Sequence, residues 1–117
     1  MAKTHKVTRK LQFNKKTQEK IYYRDHGECI FCAMGYYTDC RSGLLLQIKD
    51  IMHYIPKSSM GMGIEQNGAL GCRYHHDLLD NGNRGRREEM LERFEAYLKS
   101  IYPDWKKEDL IYRKYNF

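Results

Sequence analysis

Two short pairs constrain this chain more than anything else in it: Cys29-Ile-Phe-Cys32 and, about forty residues later, Cys72-Arg-Tyr-His75. Each pair spaces two soft or borderline donors across one tight turn, and two such turns closing on one ion is how tetrahedral structural zinc sites are assembled. A fold that uses them must bring the neighbourhoods of residues 30 and 72 together. Disulfides are the competing use of cysteine. The N-terminus Met-Ala-Lys-Thr-His-Lys lacks the apolar core of a secretory signal, so the expected compartment is the cytoplasm, where thiols stay reduced. Cys40 is left over. It is also an alternative to His75 as fourth ligand, but it has no partner at turn spacing. The blander alternative packs all four cysteines as small buried hydrophobes.

At 117 residues the chain is expected to form one domain, near the size at which small proteins add a metal to reach useful stability. No run approaches the roughly 18 apolar residues of a membrane span, so no membrane partner is expected. The net charge of +6 is concentrated at the start. Residues 1–20 carry Lys3, Lys6, Arg9, Lys10, Lys15, Lys16 and Lys20 against Glu19 alone, and the rest of the chain balances. A basic arm of residues 1–20 on a neutral body, residues 21–117, suits a phosphate backbone, where each neutralised phosphate releases counterions. A solvated basic terminus is the plain alternative.

Along the chain, residues 17–25 have helix-compatible composition and end at His26-Gly27, a glycine stop. Residues 33–43 read as a loop. The apolar, partly alternating stretch 44–55, closed by Pro56, predicts a strand. A Gly/Ser loop follows, then a second strand over 68–72 and a helix from Arg73 to about Asp80. Asn81 to Gly85 breaks that helix. From Arg86 to Ile101 a second helix carries Met90, Leu91, Phe94, Leu98 and Ile101 on one face, with Glu89/Arg93 and Glu95/Lys99 pairs on the other. Asp104 is a candidate N-cap for a last helix over 105–112. The expected class is α+β, with a ββα unit over about 44–82 and C-terminal helices over 86–115.

Hydrolysing a phosphodiester needs a base to activate water, a cation to take up charge and a group that fixes their geometry. His53 at a strand end, Asn67 after the loop and His76 on the helix occur in that order, and Asp80 lies four residues beyond His76 on the same helix face. Arg84, Arg86 and Arg87 are further candidates for phosphate contact, set against a solvated basic turn.

Residues 24–82, with this His53, Asn67, His76 order between the two ligand pairs, resemble the HNH endonucleases, and small phage-encoded members most clearly. The resemblance implies a ββα-metal (His-Me finger) core with a structural zinc at Cys29, Cys32, Cys72 and His75. It implies His53 as general base, Asn67 as a brace for the loop, and Mg²⁺ or another divalent metal at His76 and Asp80. It implies DNA as substrate, 5′-phosphate ends, a host-cytoplasm setting for a phage-encoded member and phage packaging proteins as partners. One position departs from the family. The residue before the base is usually an aspartate or histidine ligand, and here it is Met52, a poor ligand for a hard cation. Asp50, on the same strand face but two residues back, is an outside candidate. The other functional class is a zinc-stabilised DNA-binding module without catalysis.

Overall fold

The computed structural model describes residues 6–113. The basic arm's first five residues and the last four of the chain lie outside it. Two short helices, α1 (Lys6–Leu11) and α2 (Lys15–Arg24), lead into a one-turn helix α3 (Ile30–Ala33) and a second short one, α4 (Gly43–Gln47). Strands β1 (Lys49–His53) and β2 (Gly68–Cys72) follow, then α5 (Arg73–Asp80) and the long α6 (Arg87–Ile101). The strands pair antiparallel with Lys49 opposite Cys72 and His53 opposite Gly68. A small α+β architecture results, in which a two-stranded sheet runs directly into a helix.

The second strand, the helix after it and the long C-terminal helix lie where the pattern placed them, but the first strand is shorter than the expected 44–55. Ser42 caps a helical turn by accepting the Leu45 N–H at 3.2 Å, so Leu44, Leu45 and Leu46 coil rather than extend. The ladder then spans only the five residues that β2 can match. The expected helix over 105–112 is also absent. Residues 103 and 104 form a turn, Asp104 caps nothing, and only Lys107–Leu110 coil, as a 3₁₀ turn behind Lys106. Trp105 is instead anchored by its indole N–H to the Gln66 carbonyl at 2.8 Å.

Met90, Phe94 and Leu98 of α6 are fully buried against Phe31, Met52 and Leu79, as the apolar stripe requires. Of its two outer pairs, Glu95–Lys99 forms at 3.6 Å. Glu89 does not meet Arg93, because it accepts the Tyr36 hydroxyl at 2.7 Å while the Arg93 guanidinium lies over the Tyr36 ring at 5.0 Å.

A buried ion pair ties the N-terminal half to this core. Helix α2 ends where His26 and Gly27 both turn to positive φ, and the Gly27 N–H donates to the Tyr22 carbonyl at 2.9 Å. That stop leaves Asp25 facing inward, its side chain fully buried. Its carboxylate accepts from Arg24 Nε at 2.7 Å, from the Leu70 N–H at 2.9 Å and from the Tyr97 hydroxyl. Arg24 also reaches the Glu65 and Gly68 carbonyls, each at 2.7 Å. Burial alone would lower the Arg24 pKa, but the bonds to Asp25 and Tyr102 outweigh it and raise it further. Removing one partner of a buried pair strands the other. Asp25→Ala is therefore expected to cost about 3–5 kcal/mol, read from urea unfolding; a loss below about 1 kcal/mol, the level of surface pairs, would contradict it.

Candidate metal centre and cleft

Cys29, at the entry of α3, and Cys32, within it, face Cys72, the last residue of β2, and His75 in the first turn of α5. Their four donor atoms lie within 4.8 Å of one another. Cys32 Sγ is 3.8 Å from Cys72 Sγ, and His75 Nδ1 is 3.5, 3.5 and 3.2 Å from the sulfurs of Cys29, Cys32 and Cys72. Zn–S bonds of about 2.3 Å and a Zn–N bond of about 2.0–2.1 Å give tetrahedral edges of about 3.8 Å and 3.5 Å, so the four donors fit zinc in spacing and in kind. The His75 Nε2–H donates to the Tyr36 carbonyl at 2.5 Å, which leaves Nδ1 as the lone-pair nitrogen, the arrangement that outer partners impose on metal-binding histidines. Burial, together with the neighbouring Cys29 and Cys72 sulfurs, pushes the Cys32 thiol up. As thiolates at this spacing the three sulfurs would repel one another unless a cation lay between them. Cys40 stands apart, half-buried, with its sulfur 3.8 Å from the Ser42 carbonyl.

His53, His76, Asp50 and Asp80 line one open cleft of about 1080 Å³, together with the basic side chains Lys15, Lys49, Lys57 and Arg87. His53 ends β1, and Asn67 holds the chain just after it. The Asn67 carbonyl accepts the Tyr54 N–H at 2.9 Å. Its side-chain Oδ1 accepts the Ile55 N–H at 2.7 Å, and Nδ2 donates to the carbonyls of Ile55 at 3.1 Å and Met62 at 2.8 Å. All of its polar groups are thus spent, inside the protein, on the loop that follows His53.

The N-terminal residues enter the site in a way the charge pattern did not suggest. His53 Nε2 lies 2.8 Å from the Leu11 carbonyl, and the Phe13 ring packs 4.3 Å from the imidazole. A carbonyl only accepts, so Nε2 carries the proton and Nδ1 the lone pair. Gly63 makes this docking close: its N–H donates to the Lys10 carbonyl at 3.0 Å, and a Cβ there would collide with the Gln12 carbonyl. Burial lowers the His53 pKa, with Lys57 and His76 adding to the effect and the Leu11 bond opposing it. The residues between α1 and α2 are thus part of the site, and α2 runs straight across residue 20.

His76 and Asp80 sit one turn apart on α5, with His76 Nε2 at 3.3 Å from Asp80 Oδ2. His76 Nδ1 is 2.5 Å from Oδ1 of Asp50, the residue named above as an outside candidate for a metal ligand. Met52 is fully buried in the core, so the position before His53 supplies no ligand. Of Arg84, Arg86 and Arg87, only Arg87 lines the cleft, and its Nε also donates to the Leu79 carbonyl at 3.1 Å. Arg84 lies 5.6 Å over the Tyr37 ring, and Arg86 donates to the Tyr37 hydroxyl at 3.2 Å. Among the described residues no helix is long and apolar enough to cross a membrane.

Comparison with protein-family models, with curated proteins and with solved structures gives no match to the chain.

Proposed function

We propose that the protein is a metal-dependent HNH-type endonuclease that hydrolyses DNA phosphodiester bonds, with His53 as general base. The observation that carries this reading is the state of His53: its Nε2–H is held by the Leu11 carbonyl, and its Nδ1 lone pair is free in a cleft shared with His76 and four cationic side chains. A lowered pKa keeps that imidazole neutral at physiological pH, which is the form a base needs.

In the reaction, His53 Nδ1 takes a proton from water as the water oxygen bonds to phosphorus. The P–O3′ bond breaks, its electron pair leaving with O3′, which takes a proton from a solvent water, so that a 5′-phosphate and a 3′-hydroxyl result. The Leu11 carbonyl holds the ring in place and stabilises the imidazolium as it forms, while Asn67 fixes the chain after His53. Lys15, Lys49, Lys57 and Arg87, which line the same cleft, would neutralise backbone phosphates. His76 Nε2 and Asp80 would hold a divalent cation, a nitrogen–oxygen set that suits magnesium or manganese ions retaining several waters. Such a cation supplies charge neutralisation at the phosphate and the leaving oxygen.

The burial of Met52 favours a second reading, a zinc-stabilised DNA-binding module without catalysis, because it removes a ligand from the catalytic set. Supercoiled plasmid separates the two. The nuclease is expected to nick or linearise it with Mg²⁺ or Mn²⁺, to stop on chelation and to resume when the divalent ion is restored in excess. Tight binding with no cleavage under any divalent ion would establish the second reading.

A further inference from the structure

The two contacts of the His76 ring are unequal in a way that assigns them different jobs. An ion with bonds of about 2.1 Å in octahedral geometry sets adjacent ligand atoms about 3.0 Å apart. The 3.3 Å between His76 Nε2 and Asp80 Oδ2 leaves room for both to bind one ion. The 2.5 Å between His76 Nδ1 and Asp50 Oδ1 does not: it is a short direct contact between a ring nitrogen and a carboxylate oxygen, which only a hydrogen bond allows. The second oxygen of Asp50 is taken as well: Arg73 Nη1 donates to Oδ2 at 2.8 Å. Arg73 is itself fixed from the other side, its Nη2 lying 2.9 Å from Asp77 Oδ1.

We infer that Asp50 is a positioning residue for the metal site, accepting the Nδ1–H of His76 so that Nε2 presents its lone pair beside Asp80, and that it is not itself a ligand. The inference rests on the nuclease reading for the presence of a divalent ion in the cleft. Its physical content is the carboxylate–histidine–metal relay by which an outer carboxylate fixes the tautomer and ring orientation and raises the basicity of the liganding nitrogen. Arg73 at the start of α5 and Asp50 on β1 thereby hold the helix-borne ligand to the strand that carries His53. The relay compensates for Met52, since a well-oriented histidine makes a two-residue site usable.

The test uses zinc-loaded full-length protein and Mn²⁺ as the probe, with affinity measured by calorimetry for wild type, Asp50→Ala, Asp50→Asn and His76→Ala. Zinc content and circular dichroism confirm that each variant is folded. ¹⁵N–¹H correlation spectra of the Mg²⁺-saturated proteins read the His76 tautomer. Wild type is expected to carry the proton on Nδ1. Asp50→Ala should weaken Mn²⁺ binding about 10–100-fold, the usual loss for an outer partner, and should mix the tautomers. Asp50→Asn, which keeps an acceptor without its charge, should fall between. Unchanged affinity and tautomer in Asp50→Ala would overturn the positioning role while leaving the metal site standing. Loss as complete as in His76→Ala would also overturn it, by making Asp50 a ligand. Absence of Mn²⁺ binding by wild type would remove the metal site, and with it the nuclease reading on which the inference depends.

Discussion

His53→Ala is expected to reduce plasmid cleavage by at least the roughly 10²–10⁴-fold that general-base removal costs, while DNA affinity measured in parallel stays close to that of wild type. The two should separate because the proposed attraction for phosphate rests on Lys15, Lys49, Lys57 and Arg87, which share the cleft, and not on the His53 ring. The pH dependence has a definite sign. Burial lowers the His53 pKa, so the ring loses its proton below the ordinary imidazole value of about 6.5. The acid limb of the wild-type rate profile should lie below that value, and rate should already be insensitive to His53 protonation at pH 7. An acid limb centred above about 7, or cleavage by His53→Ala at the wild-type rate, would remove His53 as the base.

What the sequence could and could not convey about this site follows from where each contact comes from. Gly68–Cys72 and Arg73–Asp80 are local: five small or apolar residues between two stop signals extend, and a chain leaving Cys72 without glycine or proline coils at once. Cysteine spacing is local too, which is why Cys29, Cys32, Cys72 and His75 were legible as one set. Residues 44–48 were not, since three leucines in a row carry no period that separates a strand from a helical turn, and a serine cap decides it. Leu11 and His53 are 42 residues apart, joined through a backbone carbonyl that no side-chain pattern records. Asp50 and His76 meet only because the Lys49–Cys72 register sets β1 beside the first turns of α5. The Asp25–Tyr97 bond spans 72 positions, and the seven cationic residues of the first twenty concealed that the same stretch also contains Leu11 and Phe13, which pack on the site.

Removal of zinc is expected to unfold the protein cooperatively. The centre is surrounded by core: the Phe31 ring lies 5.7 Å from His75 and 6.1 Å from Phe94, and Cys29, Cys72 and His75 are all essentially inaccessible to solvent. Structural zinc contributes about 10–16 kcal/mol in small zinc-dependent folds, whereas a domain's whole stability is about 5–15 kcal/mol. Without the cation, three thiols and an imidazole are left buried in the middle of the aromatic cluster that joins α3, α5 and α6. Thiolates there would have to bind protons to become neutral, and the α3 turn would lose its link to β2. Elemental analysis should find one zinc per chain, and titration with a chelator should release it together with loss of near- and far-ultraviolet circular dichroism, reversed by added Zn²⁺. Cys72→Ser should behave like the chelated protein, because it deletes a ligand and alters the Sγ that accepts the His75 N–H at 3.4 Å. Cys40→Ser should bind zinc and melt as wild type does, its sulfur lying outside the cluster. Folded protein that contains no zinc, or whose melting is unmoved by the chelator, would show that these four side chains pack without an ion.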